Sequence, residues 1–145
     1  MWFGGIDGVI NRAASSLFHA QAGKAMPLKD GQTVVARSNG HAHDGAFKAV
    51  LFVVDDLQRP LREIVYNGLK AASDAGFAKV SLPTIRMGVM LGAVEKSLDE
   101  AVIEMATGVR KFLADNSKTP VQSITLVVYN DQRTQSLLNS ALKSN

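Results

Sequence analysis

Apolar positions along this chain recur with two periods that alternate from one segment to the next. Ile6, Val9, Ile10, Ala13, Ala14, Leu17 and Phe18 follow helical spacing and predict one helix, ended by Gly23. After a polar turn at Lys29-Asp30-Gly31, Gln32 to Arg37 reads as a strand, and Ser38 to Gly45 as a polar loop. Lys48 to Asp55 is the most apolar stretch up to that point, and its unbroken run predicts an interior strand covered on both faces. Asp55 or Asp56 then caps a helix with Pro60 in its first turn. Its inward face is Leu57, Leu61, Ile64, Val65, Leu69 and Ala72, and Gly76 ends it. Val80-Ser81-Leu82 is a buried strand stopped by Pro83, which has no N–H to give a ladder. Ser97-Leu98-Asp99-Glu100 fits a capping box for a helix that buries Ala101, Val102, Met105, Val109, Phe112 and Leu113. Asn116 to Pro120 is a loop, Val121 to Asn130 contains another interior strand, and Asp131 caps a last helix with Leu137, Leu138, Ala141 and Leu142 inward.

The order α-β-β-α-β-α-β-α predicts an α/β fold, with helices on both faces of a mixed, mostly parallel sheet. The length of 145 residues suits a single domain, 1–145, with a core of its own. The chain has no cysteine, which excludes disulfides, thiol catalysis and cysteine metal sites and agrees with a reducing compartment. No apolar run is long enough to span a bilayer, and the first residues lack the basic-then-apolar pattern of a signal peptide. The expected location is therefore cytoplasmic, away from membranes. The net charge of +3 comes from scattered Lys and Arg. Such a balance suits a phosphate-bearing ligand and gives little support to nucleic acid.

Two glycine-punctuated loops carry the candidate chemistry. The first, Phe3-Gly4-Gly5-Ile6-Asp7-Gly8, feeds the first helix. The second runs from the Val80–Leu82 strand through Gly88 to Gly92. A glycine loop at a helix N-terminus lets backbone N–H groups approach an anion, and in open α/β sheets ligands sit at the carboxyl ends of strands. Each feature also has a plainer reading. The second loop could be an ordinary strand-to-helix connection, and Asp7 a first-turn carboxylate favoured by the helix dipole. Arg86 could fork onto a phosphate, or point outward and pair with Glu95 or Glu100. Met87, Met90 and Met105 read more simply as packing, and His19 as a partly exposed surface residue. Trp2 could stack on an adenine or fill a hole in the core. His41-Ala42-His43-Asp44 has metal-ligand chemistry, but it lies in a glycine-flanked loop with no further cluster to complete a set, so no metal site is assigned.

Gly4-Gly5-Ile6-Asp7-Gly8-Val9-Ile10-Asn11-Arg12-Ala13-Ala14 resembles the first ligand loop and helix of the macro domain, the ADP-ribose-binding α/β/α module. It is most similar to the branch that removes mono-ADP-ribose from proteins. Leu82-Pro83-Thr84-Ile85-Arg86-Met87-Gly88-Val89-Met90 resembles the family's second loop, and the order of elements agrees from about Phe3 to about Asp131. The resemblance implies a three-layer α/β/α sandwich and a nucleotide ligand, with no cofactor. Gly4, Gly5 and Ile6 would line the ribose and diphosphate. Gly88, Val89 and Met90 would wrap the diphosphate, flanked by Pro83, Arg86 and Met87. Asp7 matches the carboxylate that helps activate water.

The sequence also departs from the family pattern. Family members begin with about two more strands, which carry an adenine-reading aspartate and a ribose-holding asparagine. Here the pattern is N-terminally shortened. Arg86 and Met87 replace a serine and a threonine, and Phe52 replaces a histidine. The implied activity is binding of ADP-ribose or a related nucleotide, with hydrolysis of ADP-ribosyl esters or O-acetyl-ADP-ribose if catalytic. The alternative is a degenerate macro fold that serves as an assembly module. An incomplete sheet would expose a strand edge through which copies could pair into a homo-oligomer.

Overall fold

A computed structural model describes residues 5–88 and 90–143. Its elements are α1 (Gly5–Ala14), α2 (His19–Ala25), β1 (Thr33–Arg37), β2 (Ala49–Val53), α3 (Leu61–Asp74), β3 (Lys79–Pro83), α4 (Leu98–Asp115), β4 (Ser123–Val127) and α5 (Gln132–Lys143). All four strands fall where the apolar runs place them.

The first helical stretch differs from the expectation of one helix. It breaks after Ala14, where Ser15 takes a φ of 49°, and α2 then runs on through Gly23 to Ala25. A left-handed serine cannot continue a right-handed helix, whereas a glycine only weakens one. Ile6 and Val9 are half exposed instead of buried, and so is Leu113 on α4. Ala14 and Phe18 do enter the core.

The strands are mixed in direction. β1 and β2 pair antiparallel, with Thr33 opposite Val53 and Arg37 opposite Ala49. β3 and β4 pair parallel, with Lys79 opposite Ser123 and Pro83 opposite Val127. Among the described residues the hydrogen bonds form two two-stranded ladders, one antiparallel and one parallel, so the strands are mixed in direction as expected. Their layering is the expected α/β/α. Alternate residues of a strand face opposite ways. Accordingly Val50 and Phe52 join Ala14, Phe18 and Ala36 on the α1/α2 side. Val53 joins Leu61, Ile64, Val65 and Leu69 on the α3/α4 side. Both faces of β2 are thus covered, which explains its unbroken apolar run. β3 and β4 turn Val80, Leu82, Ile124 and Leu126 to the α3/α4 core, while Lys79, Ser81, Ser123, Thr125 and Val127 are exposed.

The helix ends follow local chemistry. Ser97 caps α4 by accepting from the Glu100 N–H at 3.2 Å, and Glu100 reaches back to the Lys96 N–H at 2.9 Å, a near capping box. Asp131 accepts from the Thr134 N–H at 3.2 Å and from its hydroxyl at 2.8 Å, fixing the start of α5. Past α3, Gly76 takes a φ of 84°, and the N–H groups of Gly76 and Phe77 close onto Ser73 and Ala72. α3 lies so close to α4 that a Cβ on Gly108 would sit 2.7 Å from the Arg62 carbonyl oxygen. Among the described residues no helix is long and apolar enough to cross a membrane.

Candidate functional site

The carboxyl ends of the strands hold most of the conformational strain. Four of the non-glycine residues with positive φ lie just beyond a strand: Asn39 (52°) after β1, Leu57 (59°) after β2, Arg86 (59°) after β3 and Asn130 (43°) after β4. Such backbone is costly in L-residues and persists only where the surroundings over-determine it.

At Arg86 the surroundings are two carboxylates. Its Nη2 and Nε donate to Asp55 at 2.6 and 3.0 Å, and its Nη1 donates to both oxygens of Glu95, at 3.2 and 3.1 Å. The Arg86 and Glu95 side chains are almost completely buried. Burial works against the guanidinium charge, but hydrogen bonds to Asp55 and then Glu95 outweigh it and hold its pKa above the ordinary arginine value. Arg86 was expected to fork onto a phosphate. It is turned inward instead, because the two carboxylates occupy its planar face, and of the readings open in the sequence the pairing with Glu95 is the one formed.

Glu95 has a second task that spacing could not reveal. Its Oε1 accepts from the Leu61 N–H at 2.8 Å and so caps α3 from 34 residues away. Asp55 and Asp56, the expected caps, do not serve. Asp55 holds Arg86 and the Leu57 N–H, the Asp56 N–H donates to Asp30, and α3 begins after Pro60 without a side-chain cap from that residue. The only sequence clue to this cluster was an Arg and a Glu nine residues apart in one loop.

Above this anchor the second loop is open. Gly88 is exposed, and a Cβ built on it would meet nothing within 4 Å. Met90 is 42% exposed, whereas Met87 is half buried against the α3/α4 core and Met105 is fully buried in it. Pro83 ends β3 and is half buried. Gly4, Val89 and Trp2 lie outside the described residues.

The stretch expected as the first loop is helical from Gly5 on, because residues 5–8 already form the first turn of α1, and Ile6 there is 48% exposed. Asp7 is in the first turn, with its Oδ1 3.8 Å from Nε2 of His19. His19 is buried, not the surface residue expected, with its ring edge-on to Phe52 of β2 at 5.1 Å. β2 is therefore the element on which both loops lean: the first through His19 and Phe52, the second through Arg86 and Asp55.

Two surface hollows lie elsewhere. One of about 470 Å³ is bordered by Gly31, Asn67, Lys70 and Asp74. The other, about 250 Å³ and mainly apolar, is bordered by Val109, Leu113, Ile124 and Leu142. His43 packs between the rings of Phe18 and Phe47, at 5.2 and 5.0 Å, and its Nδ1 accepts from the Gly45 N–H. It is thus part of the α1/α2 aromatic cluster. Among the described residues no three His, Asp or Glu side chains come together as a metal site.

No protein-family profile and no curated protein matches the sequence. Solved structures do. A Trypanosoma brucei macrodomain in complex with ADP-ribose superposes with a TM-score of 0.77 at 19% identity, over 96% of this chain and 57% of that one. The fold is that of a macrodomain. The same trypanosome protein in complex with ADP gives the same score, and an Oceanobacillus iheyensis macrodomain variant gives 0.73 at 21% identity, over 97% of this chain and 73% of that one. The chain spans a little over half the length of the trypanosome macrodomains it matches. At such identities the shared property is the macrodomain fold itself.

Proposed function

We propose that this chain binds ADP-ribose or a related ADP-ribosyl nucleotide at its two glycine loops. The observation that carries this reading is the second loop, anchored from below by Arg86 and left open above at Gly88. An anchored loop with no side chain in the way is pre-organised to present backbone N–H groups to a diphosphate. The half-exposed Ile6 and Met90 offer apolar surface for the ribose and base. The macrodomain fold supports the same ligand class, since related structures carry ADP-ribose and ADP.

In this reading Gly4, Gly5, Ile6, Gly88, Val89 and Met90 form the ligand cradle. Asp7 takes a proton from a water that attacks an ADP-ribosyl or acetyl ester, and the reaction is hydrolysis. The protein works in the cytoplasm. Thermal-shift titration with ADP-ribose, with AMP and ribose 5-phosphate as controls, tests binding. A ligand at a hundred times its Kd stabilises the folded state by about 2.7 kcal/mol, a clear melting shift. No shift at millimolar ADP-ribose removes the reading. Hydrolysis undiminished in Asp7→Ala removes the mechanism.

A second reading rests on the strand edges. Among the described residues, each strand is paired on one side only. Unpaired edges template pairing with another chain, and the degenerate-fold alternative makes this a homo-oligomeric assembly module. A solution mass that stays monomeric at high concentration rejects it.

A further inference from the structure

Asp7 and His19 are twelve residues apart, and on one straight helix they would stand about 18 Å apart along its axis. The break at Ser15 changes this. With Ser15 at a φ of 49° and residues 15–18 in a turn, α2 sets off in a new direction and brings the His19 imidazole to 3.8 Å from the Asp7 carboxylate. The two groups differ in setting. The His19 side chain is 5% exposed and backed edge-on by Phe52, while that of Asp7 is 44% exposed. A fixed imidazole thus faces one oxygen of a carboxylate that has one foot in solvent.

We infer that His19 is a positioning residue for Asp7, an assignment that rests on the proposed role of Asp7 in activating water. A carboxylate on the first turn of a helix can swing about its side-chain bonds. A general base works only while it stays within hydrogen-bonding reach of its water. The buried imidazole, 3.8 Å from Oδ1, closes off that side of the carboxylate and restricts its swing, close enough to hydrogen-bond it after a small shift. Ser15 and Phe52 complete the device: the first folds α2 back, and the second fixes the plane of the ring. His19 touches no ligand in this arrangement, so it acts on turnover and not on affinity.

The test compares His19→Phe, which keeps the ring but removes its N–H, with His19→Gln, which keeps an N–H donor. Both are measured as the full chain for melting temperature, ADP-ribose affinity and ester hydrolysis. The expected result is a ten- to hundredfold fall in kcat for His19→Phe, of the order seen when groups that orient a site's ligands are removed, with KM within twofold and partial rescue in His19→Gln. Unchanged kcat in a folded His19→Phe overturns the assignment, and so does a loss shared equally by both variants. A second readout is independent of turnover and keeps the two claims separable. In Asp7→Asn, the imidazole Nε2 ¹⁵N resonance of His19 should move while that of His43 stays in place. A wild-type protein without hydrolysis, in which His19 still responds to Asp7→Asn, removes the catalytic role and leaves the contact. A His19 resonance indifferent to Asp7→Asn overturns the contact itself.

Discussion

Arg86 grips Asp55 through two bonds, Nη2 to Oδ1 at 2.6 Å and Nε to Oδ2 at 3.0 Å, and so ties the end of β3 to the end of β2. No backbone hydrogen bond joins these two strands among the described residues. The bridge therefore links two strands that no described ladder joins. Removing it should be expensive. Arg86→Ala leaves Glu95, 3% exposed, with a buried charge and no cation. Breaking a buried pair from one side typically costs about 3–5 kcal/mol. Urea denaturation should show a loss of that size, and Glu95→Gln should lose less, because the amide oxygen can still accept from the Leu61 N–H. Equal losses in the two variants would mean that the Arg86–Glu95 contact itself, and not the uncompensated Glu95 charge, carries the energy.

Two helix glycines should respond in opposite directions to the same change. Gly23 in α2 is exposed, has nothing within 4 Å of a built Cβ and does not take a positive φ. Gly23→Ala should stabilise by about 0.5–1 kcal/mol through lower backbone entropy in the unfolded chain. Gly108 in α4 faces the Arg62 carbonyl at 2.7 Å and the Val65 Cβ at 2.9 Å, neither of them the end of a flexible side chain. There the gain in helix propensity is outweighed, and Gly108→Ala should lose about 1–3 kcal/mol as α3 and α4 are pushed apart. Paired thermal melts decide both signs.

Much of this fold could be read from apolar spacing, and the failures have specific causes. The strands came out where predicted because Val, Ile, Leu and Phe runs leave few alternatives, and β2 was recognised as covered on both faces from its unbroken run. Ser97 and Asp131 announced their helices because capping is local chemistry. The break at Ser15 was missed because a left-handed serine has no signature in apolar spacing. That single omission hid the approach of His19 to Asp7. At the candidate site, the glycine spacing marked two stretches but not the anchoring of the second. Asp55, Arg86 and Glu95 meet across 31 and 9 residues of chain, and nothing local in the sequence couples them. The separation of the strands into two ladders was likewise invisible, since an apolar run shows that a strand is buried and not which strand lies beside it.

Acid should act on the start of α5 through Asp131. Its carboxylate accepts from the Thr134 hydroxyl and then from the Thr134 N–H, which lowers its pKa below the ordinary 3.8. A carboxyl with a depressed folded-state pKa stabilises the fold above its unfolded value, and that contribution disappears as pH falls through the folded value. Wild type should therefore exceed Asp131→Ala in melting temperature at about pH 7, and the gap should narrow at about pH 2.5. A gap independent of pH would mean that the hydroxyl and cap geometry, and not the charge, hold the helix end.

The second loop offers a variant in which folding and binding separate cleanly. A side chain at Gly88 would enter open space, and this glycine does not take a positive φ. Gly88→Val should therefore leave the melting temperature of the free protein almost unchanged. If the loop wraps a diphosphate through its backbone, the same side chain stands between the N–H groups and the phosphate oxygens, which need hydrogen bonds of about 2.7–3.2 Å. The added isopropyl group holds the anion off by more than that tolerance, so several charge-assisted bonds weaken together. ADP-ribose affinity should fall at least about tenfold, the equivalent of about 1.4 kcal/mol. Calorimetric titration of both proteins measures it. A folded Gly88→Val that binds ADP-ribose as tightly as wild type would move the ligand away from this loop, and the strand edges would become the place to look for the function.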